Sequence, residues 1–345
     1  MTPSATGDTI STIALEDTTI LALRKALTSE SVPLARRFRA LFSLKHLACL
    51  NPPTEQTLPA INAIAAAFIS PSALLKHELA YCLGQTRNLA AVPYLREVLE
   101  DNHEDPMCRH EAAEALGALG DVDSLALLRR MRDDVGEAEV VRETCDIAVE
   151  RIEWESSEQR KRERLKQSDF ASIDPAPPLP QTTEHRSIAD LQARLLDTKL
   201  PLFQRYRTMF ALRDLSSPPD LATAVPAVKA LASGFNDPSA LFRHEIAFVF
   251  GQLSHPASIP SLVATLSNTK EESMVRHEAA EALGSLGDEE GVEDILRKFL
   301  NDPEQVVRDS VIVALDMADF EKNGEREYAI LPQEQQFSPL AAVKA

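Results

Sequence analysis

Apolar residues recur at helical spacing along most of the chain, in segments such as VPYLREVLED (92–101), and never in the strict alternation of a half-buried strand. Short turns separate these segments, and NDPSA, HEDPM and NDPEQ each set an acid before proline, where one helix ends and the next begins. A second helix follows, which in several units ends in Leu-Gly, and the unit then repeats after about 33 residues. The pattern predicts eight helical hairpins. Their second helices are expected near 33–50, 71–84, 106–119, 138–152, 201–215, 238–253, 272–286 and 303–319. The fold class is therefore all-α, an α-solenoid of HEAT-like hairpins in two pseudo-symmetric halves of four, joined by a linker.

The halves are a duplication. RHEAAEALGALGD from Arg109 recurs as RHEAAEALGSLGD from Arg276, KHELAYCLGQ from Lys76 as RHEIAFVFGQ from Arg243, and LARRFRALFSLKHL from Leu34 as LFQRYRTMFALRDL from Leu202. Between them, 153–186 is first highly charged and then rich in proline, without apolar periodicity, and reads as a flexible tether. The expected organisation is a flexible N-terminus over 1–20, one half over 21–152, the linker over 153–186, the second half over 187–320 and a tail over 321–345.

Composition narrows the function classes. Of 345 residues, 44% are hydrophobic but only 5% aromatic, which suits packed helices. No apolar run reaches the roughly 20 residues of a membrane span, and the N-terminus lacks the regions of a signal peptide, so a soluble protein of the cytoplasm, and of the nucleus besides, is expected. The formal charge of −17 disfavours nucleic acid and suits a cationic partner. Cys49, Cys82, Cys108 and Cys145 form no CxxC spacing and are expected to be small core residues.

Against this background four His-Glu dipeptides stand out: His77-Glu78, His110-Glu111, His244-Glu245 and His277-Glu278. The histidines of each half are 33 residues apart (110 − 77, 277 − 244) and the halves are 167 apart (244 − 77, 277 − 110). A repeat can carry recurring residues for packing alone, and the chain contains its own control. A basic residue precedes this position in all eight second helices: Arg37, Lys76, Arg109, Arg142, Arg205, Arg243, Arg276 and Arg308. That residue is structural. The next two positions, however, are Phe38-Arg39, Glu143-Thr144, Tyr206-Arg207 and Asp309-Ser310 in the outer hairpins, so the repeat folds without His-Glu. His103-Glu104 falls in a turn and lacks a counterpart, as do His46, His185 and His255, and these are assigned to surface or core roles.

Equivalent helices of adjacent hairpins lie about 8 to 10 Å apart, close enough for these side chains to converge. Imidazole and carboxylate without thiolate suit iron, manganese or catalytic zinc, with one metal per half as the natural reading. The zinc-protease HExxH pattern fails, because the i+4 positions are Tyr81, Glu114, Phe248 and Glu281. Glu114 and Glu281 lie one turn after His110 and His277 and could orient those imidazoles or simply be solvated charges. The apolar residues after His77 and His244 suggest a drier wall.

Two HEAT-like sets with His-Glu in consecutive hairpins, joined by a variable linker, resemble the deoxyhypusine hydroxylases over residues 20–320. The resemblance implies a non-haem di-iron monooxygenase with two Fe(II) ions per chain, O₂ as co-substrate and an external reductant. Its protein substrate would be a translation initiation factor bearing deoxyhypusine, hydroxylated to hypusine. It further implies that His77, His110 and Glu111 hold one iron and His244, His277 and Glu278 the other, while Glu78 and Glu245 bind the substrate's ammonium groups. The residues by themselves also admit a HEAT-like binding scaffold, including a repeat-containing lyase for pigment attachment, or a two-metal hydrolase.

Overall fold

The computed structural model describes residues 18–163, 165, 170–180 and 187–322. The remaining positions, which include most of the expected N-terminal extension, part of the linker, His185 and most of the tail, lie outside the described residues. The described chain is helical: α1 (Thr18–Thr28), α2 (Leu34–Ala48), α3 (Thr57–Ala65), α4 (Ala73–Gly84), α5 (Val92–Glu100), α6 (Pro106–Leu119), α7 (Leu125–Asp133), α8 (Glu139–Glu155), α9 (Glu158–Arg162), α10 (Ile188–Leu195), α11 (Leu202–Leu215), α12 (Ala224–Ala232), α13 (Ala240–Leu253), α14 (Ile259–Ser267), α15 (Ser273–Gly284), α16 (Val292–Arg297) and α17 (Gln305–Lys322). Apart from α9 these pair into the eight expected hairpins. Local chemistry sets several boundaries. Asp105 accepts from the Met107 amide ahead of Pro106, Ser72 and Ser239 cap α4 and α13, and Gly120 ends α6 with a left-handed φ of 68°.

The basic residue shared by the second helices is a clamp. Nε of Arg37, Arg109, Arg142, Arg205 and Arg276 donates, at 2.8 to 3.2 Å, to a carbonyl ten residues earlier at the end of the hairpin's first helix. The same guanidinium reaches forward to an acid of the next hairpin, Glu137 for Arg109, Asp237 for Arg205 and Asp302 for Arg276. Lys76 pairs likewise with Glu104 and Arg243 with Glu271, so the acid of the turn dipeptide His103-Glu104 is part of this structural ladder. Close approach of the second helices needs the Leu-Gly endings: a Cβ on Gly84 would lie 2.8 Å from Ala115, and one on Gly284 2.8 Å from Ala314.

The second helices close into a ring. Each touches the next, α8 meets α11 and α13, and α17 returns to α2 and α4. Each half lends a helix to the other's core: Val313 of α17 packs into the N-terminal core, and Ile147 and Trp154 of α8 into the C-terminal one. Arg39 bonds Asp316 at 2.7 Å across one seam, and Ser239 bonds Glu143 at 2.7 Å across the other.

Three expectations are corrected. Helix α8 runs on to Glu155, past the expected start of the linker, because Ile152 and Trp154 are buried. The described part of the linker is a docked strap rather than a loose tether. Glu163 accepts from Arg207, Leu179 N–H donates to the Arg207 carbonyl, Ala176 is fully buried and Asp174 accepts from Arg213 at 2.8 Å. Proline-rich chain without periodicity can pack tightly when single anchors satisfy buried cations. Cys82, Cys108 and Cys145 are buried as expected, but Cys49 is exposed, because it sits at the C-terminal cap of α2. His46 and His103 are exposed, and His255 caps a short helical turn by accepting from the Ala257 amide.

Candidate metal centre

The four His-Glu helices, α4, α6, α13 and α15, present their histidines to the middle of the ring. Neighbouring imidazole centroids lie between 5.3 and 5.8 Å apart, both within a half (His77 to His110, His244 to His277) and between halves (His77 to His244, His77 to His277, His110 to His244). His110 and His277 are fully buried, and His77 and His244 nearly so. Glu111 approaches His77 Nε2 to 3.3 Å, and its counterpart Glu278 approaches His244 Nε2 to 3.4 Å. Each contact thus joins the first hairpin of a pair to the second.

The eight candidate side chains therefore come together, but not equivalently. Ligand atoms of His77, His110 and Glu111 lie within 4.8 Å of one another, as do those of His277, Glu278 and Glu281 and those of His77, His244 and His277. Glu78 and Glu245 belong to none of these groups. They line a cavity of about 310 Å³ that also reaches Glu111, Glu114, Glu278 and Glu281. Sequence left Glu281 open between two roles; it accepts from Ser310 at 3.0 Å and approaches His277 Nδ1 to 3.4 Å, which places it on the imidazole.

Both halves of the electrostatics have one cause. Burial holds the His77, His110 and His277 imidazoles well below the usual range, helped by the neighbouring imidazoles, and lowers His244 to about 4. Burial likewise raises the carboxyls: Glu78 to about 8, with Glu281 adding and Lys45 opposing, Glu114 and Glu281 to about 7, and Glu111, Glu245 and Glu278 well above the carboxylate range. A site of neutral imidazoles beside carboxylates that need a counter-charge is ready for a cation. A second sign is the set of unsatisfied atoms. Nε2 of His77 and His277, both ring nitrogens of His110 and of His244, and Oε1 of Glu245 are buried without a hydrogen-bond partner. The donor set fits a metal.

Several residues of the site carry little signal in the sequence. Tyr81 and Phe248, each four residues after a histidine, face one another across the pseudo-dyad at 5.9 Å, and Lys45 lies 4.5 Å from the Tyr81 ring. Only the apolar character of the first two positions hints at the dry wall they form.

Residues 60–148 and 228–316 match the HEAT-repeat family. Deoxyhypusine hydroxylases of three fungi align along nearly the whole chain. That of Phaeosphaeria nodorum is 77% identical over 93% of this chain and 97% of its own, and that of Aspergillus clavatus 74% over 96% and 98%. The Neurospora crassa enzyme is 69% identical over 91% and 97%. The chain belongs to the deoxyhypusine hydroxylase family. Among solved structures, human deoxyhypusine hydroxylase in complex with glycerol superposes with a TM-score of 0.76 at 44% identity, covering 88% of this chain and 96% of that one. The likeness covers most of both chains, so it extends over both halves rather than over a single repeat.

Proposed function

We infer that this chain is a deoxyhypusine hydroxylase that works as a di-iron monooxygenase on a translation initiation factor. The observation that carries the reading is the set of buried, unpartnered imidazole nitrogens at the centre of the ring. Packing gives no reason to bury them; a metal does. His77, His110 and Glu111 would hold one Fe(II), and His244, His277 and Glu278 the other, a nitrogen and oxygen set suited to non-haem iron. Bound iron would supply O₂ activation, by which one oxygen atom would enter a C–H bond and the other leave as water, with two electrons and two protons from an external reductant.

The chain's own residues do the rest. Glu78 and Glu245 face the cavity outside every metal-sized group and bind the ammonium groups of the deoxyhypusine side chain by charge-assisted hydrogen bonds. Burial makes each carboxylate wait for a cation, which gives register to a chain that is otherwise methylene. Tyr81 and Phe248 keep water from the reacting carbon. Glu281, held by Ser310, lies against His277 Nδ1 and orients that ring.

Iron analysis with a hydroxylation assay tests the assignment. Glu111→Ala or Glu278→Ala should lose iron, whereas Glu78→Ala or Glu245→Ala should keep iron and lose substrate binding. Equal iron loss in all four would end this division, and turnover without O₂ would favour metal-assisted hydrolysis instead.

A further inference from the structure

The duplication should give the ring two equivalent mouths, one at each seam, yet among the described residues the cavity is lined by α2 and α17 at one seam and by neither α8 nor α11 at the other. It reaches the surface between α2 and α17, where Phe42 and Lys45 are half-buried. Their counterparts in the duplicated helix α11, Phe210 and Arg213, are fully buried. The strap lies against Arg213. Phe170 stacks 4.3 Å from the Arg213 guanidinium, and Asp174 accepts from Arg213 Nη1 at 2.8 Å. Ile173 N–H donates to Gln85 at 2.7 Å while Gln252, the counterpart of Gln85, donates to Ser172 at 2.7 Å, so the strap is pinned to both halves at once.

We propose that residues 170–180 are a built-in plug closing one of two pseudo-equivalent mouths. The substrate protein then docks only over α2 and α17 and sets a carboxylate against Lys45, as Asp174 does against Arg213. This rests on the assigned activity and adds the direction of entry. Lys45 suits the role, since no carboxylate of the described residues pairs with it and its ammonium lies over the Tyr81 ring beside Glu78. An ammonium at the mouth of a cavity for a cationic side chain favours the charged form of Glu78, but it also repels the guest. Paired by an acidic residue of the incoming protein, it becomes a positioning residue, and the repulsion selects against free polyamines that bring no carboxylate.

Hydrogen exchange of the full chain, with and without the deoxyhypusine-bearing protein, reads the docking face whether or not turnover occurs. Protection is expected in 34–48 and 305–322 and not in 170–180 or 202–215; protection centred on the strap and α11 would overturn the plug. Lys45→Met should raise KM for the substrate protein about tenfold with iron content unchanged and kcat within twofold, and Lys45→Arg should restore KM. An unchanged KM in Lys45→Met would remove the residue from docking. Failure of the unsubstituted chain to hydroxylate would strike the assigned activity instead.

Discussion

Glu114 gives the cleanest test of the idea that this fold holds carboxylates at a cost until a cation arrives. It lies one turn after His110 on α6 and lines the cavity; burial lifts its carboxyl from 4.5 to about 7, with Asp174 adding and His244 opposing. The native value is above the unfolded one, so between them the folded chain keeps a proton that the unfolded chain has lost. Stability contributed by this group is present at low pH and falls as pH rises, with the full penalty reached above pH 7. The gap corresponds to about 3 kcal/mol at pH 8 and under about 1 kcal/mol at pH 5.

Glu114→Gln keeps the shape and removes the ionisation. Metal-free variant and parent, unfolded in urea and followed by helical circular dichroism, should be nearly equal at pH 5 and differ by about 3 kcal/mol in favour of the variant at pH 8. A bound divalent cation reverses the sense, because it favours the charged carboxylate, so the advantage should shrink on metal loading. An advantage of the same size at both pH values would show that the effect is packing and not charge, and would refute the reasoning.

Other consequences are structural. Gly84→Ala should cost about 1 to 3 kcal/mol, because its Cβ would fall 2.8 Å from the Ala115 backbone, whereas Gly251→Ala, at 3.5 Å from Ala282, should be neutral or stabilising in thermal unfolding. Arg276→Met strands a buried Asp302 and the Leu266 carbonyl and should cost about 3 to 5 kcal/mol, enough to lower Tm by several degrees. Arg39→Ala breaks a partly exposed pair across the α2 to α17 seam and should cost about 1 kcal/mol or less by the same measurement.

The hairpins were legible because they follow local rules: helical spacing throughout, and in several units an acid before proline or Leu-Gly at the end. The histidines were legible for a different reason. A repeat supplies its own control, so that Phe38-Arg39 and Asp309-Ser310 reveal His77-Glu78 as an addition. The strap offered neither signal. Asp174 and Phe170 are single residues without period, and their importance follows from Arg213, whose burial the sequence does not announce. It reads LRDL in α11 where α2 has LKHL, and nothing in either string says that one cation is covered and the other left open. Ring closure was hidden likewise, because it rests on Val313 and Trp154 packing into the core of the other half. Long-range partners of this kind are not encoded at any fixed spacing.

The charge in the cavity ties the two proposed occupants together. Six glutamates line it, Glu78, Glu111, Glu114, Glu245, Glu278 and Glu281, and Lys45 at its mouth is the one lysine or arginine among the lining residues. With neutral imidazoles, full ionisation would place six negative charges in about 310 Å³. The raised carboxyl pKa values express how strongly burial resists that. Two divalent metal ions offset four of those charges and the two ammonium groups of a deoxyhypusine side chain offset two, so neither occupant alone neutralises the cavity. Binding of each should therefore strengthen the other, because each lowers the cost of ionising carboxylates that the other uses. A scaffold that only displayed a helical surface would have no use for this charge, and a cavity that held metal alone would carry two carboxylates too many.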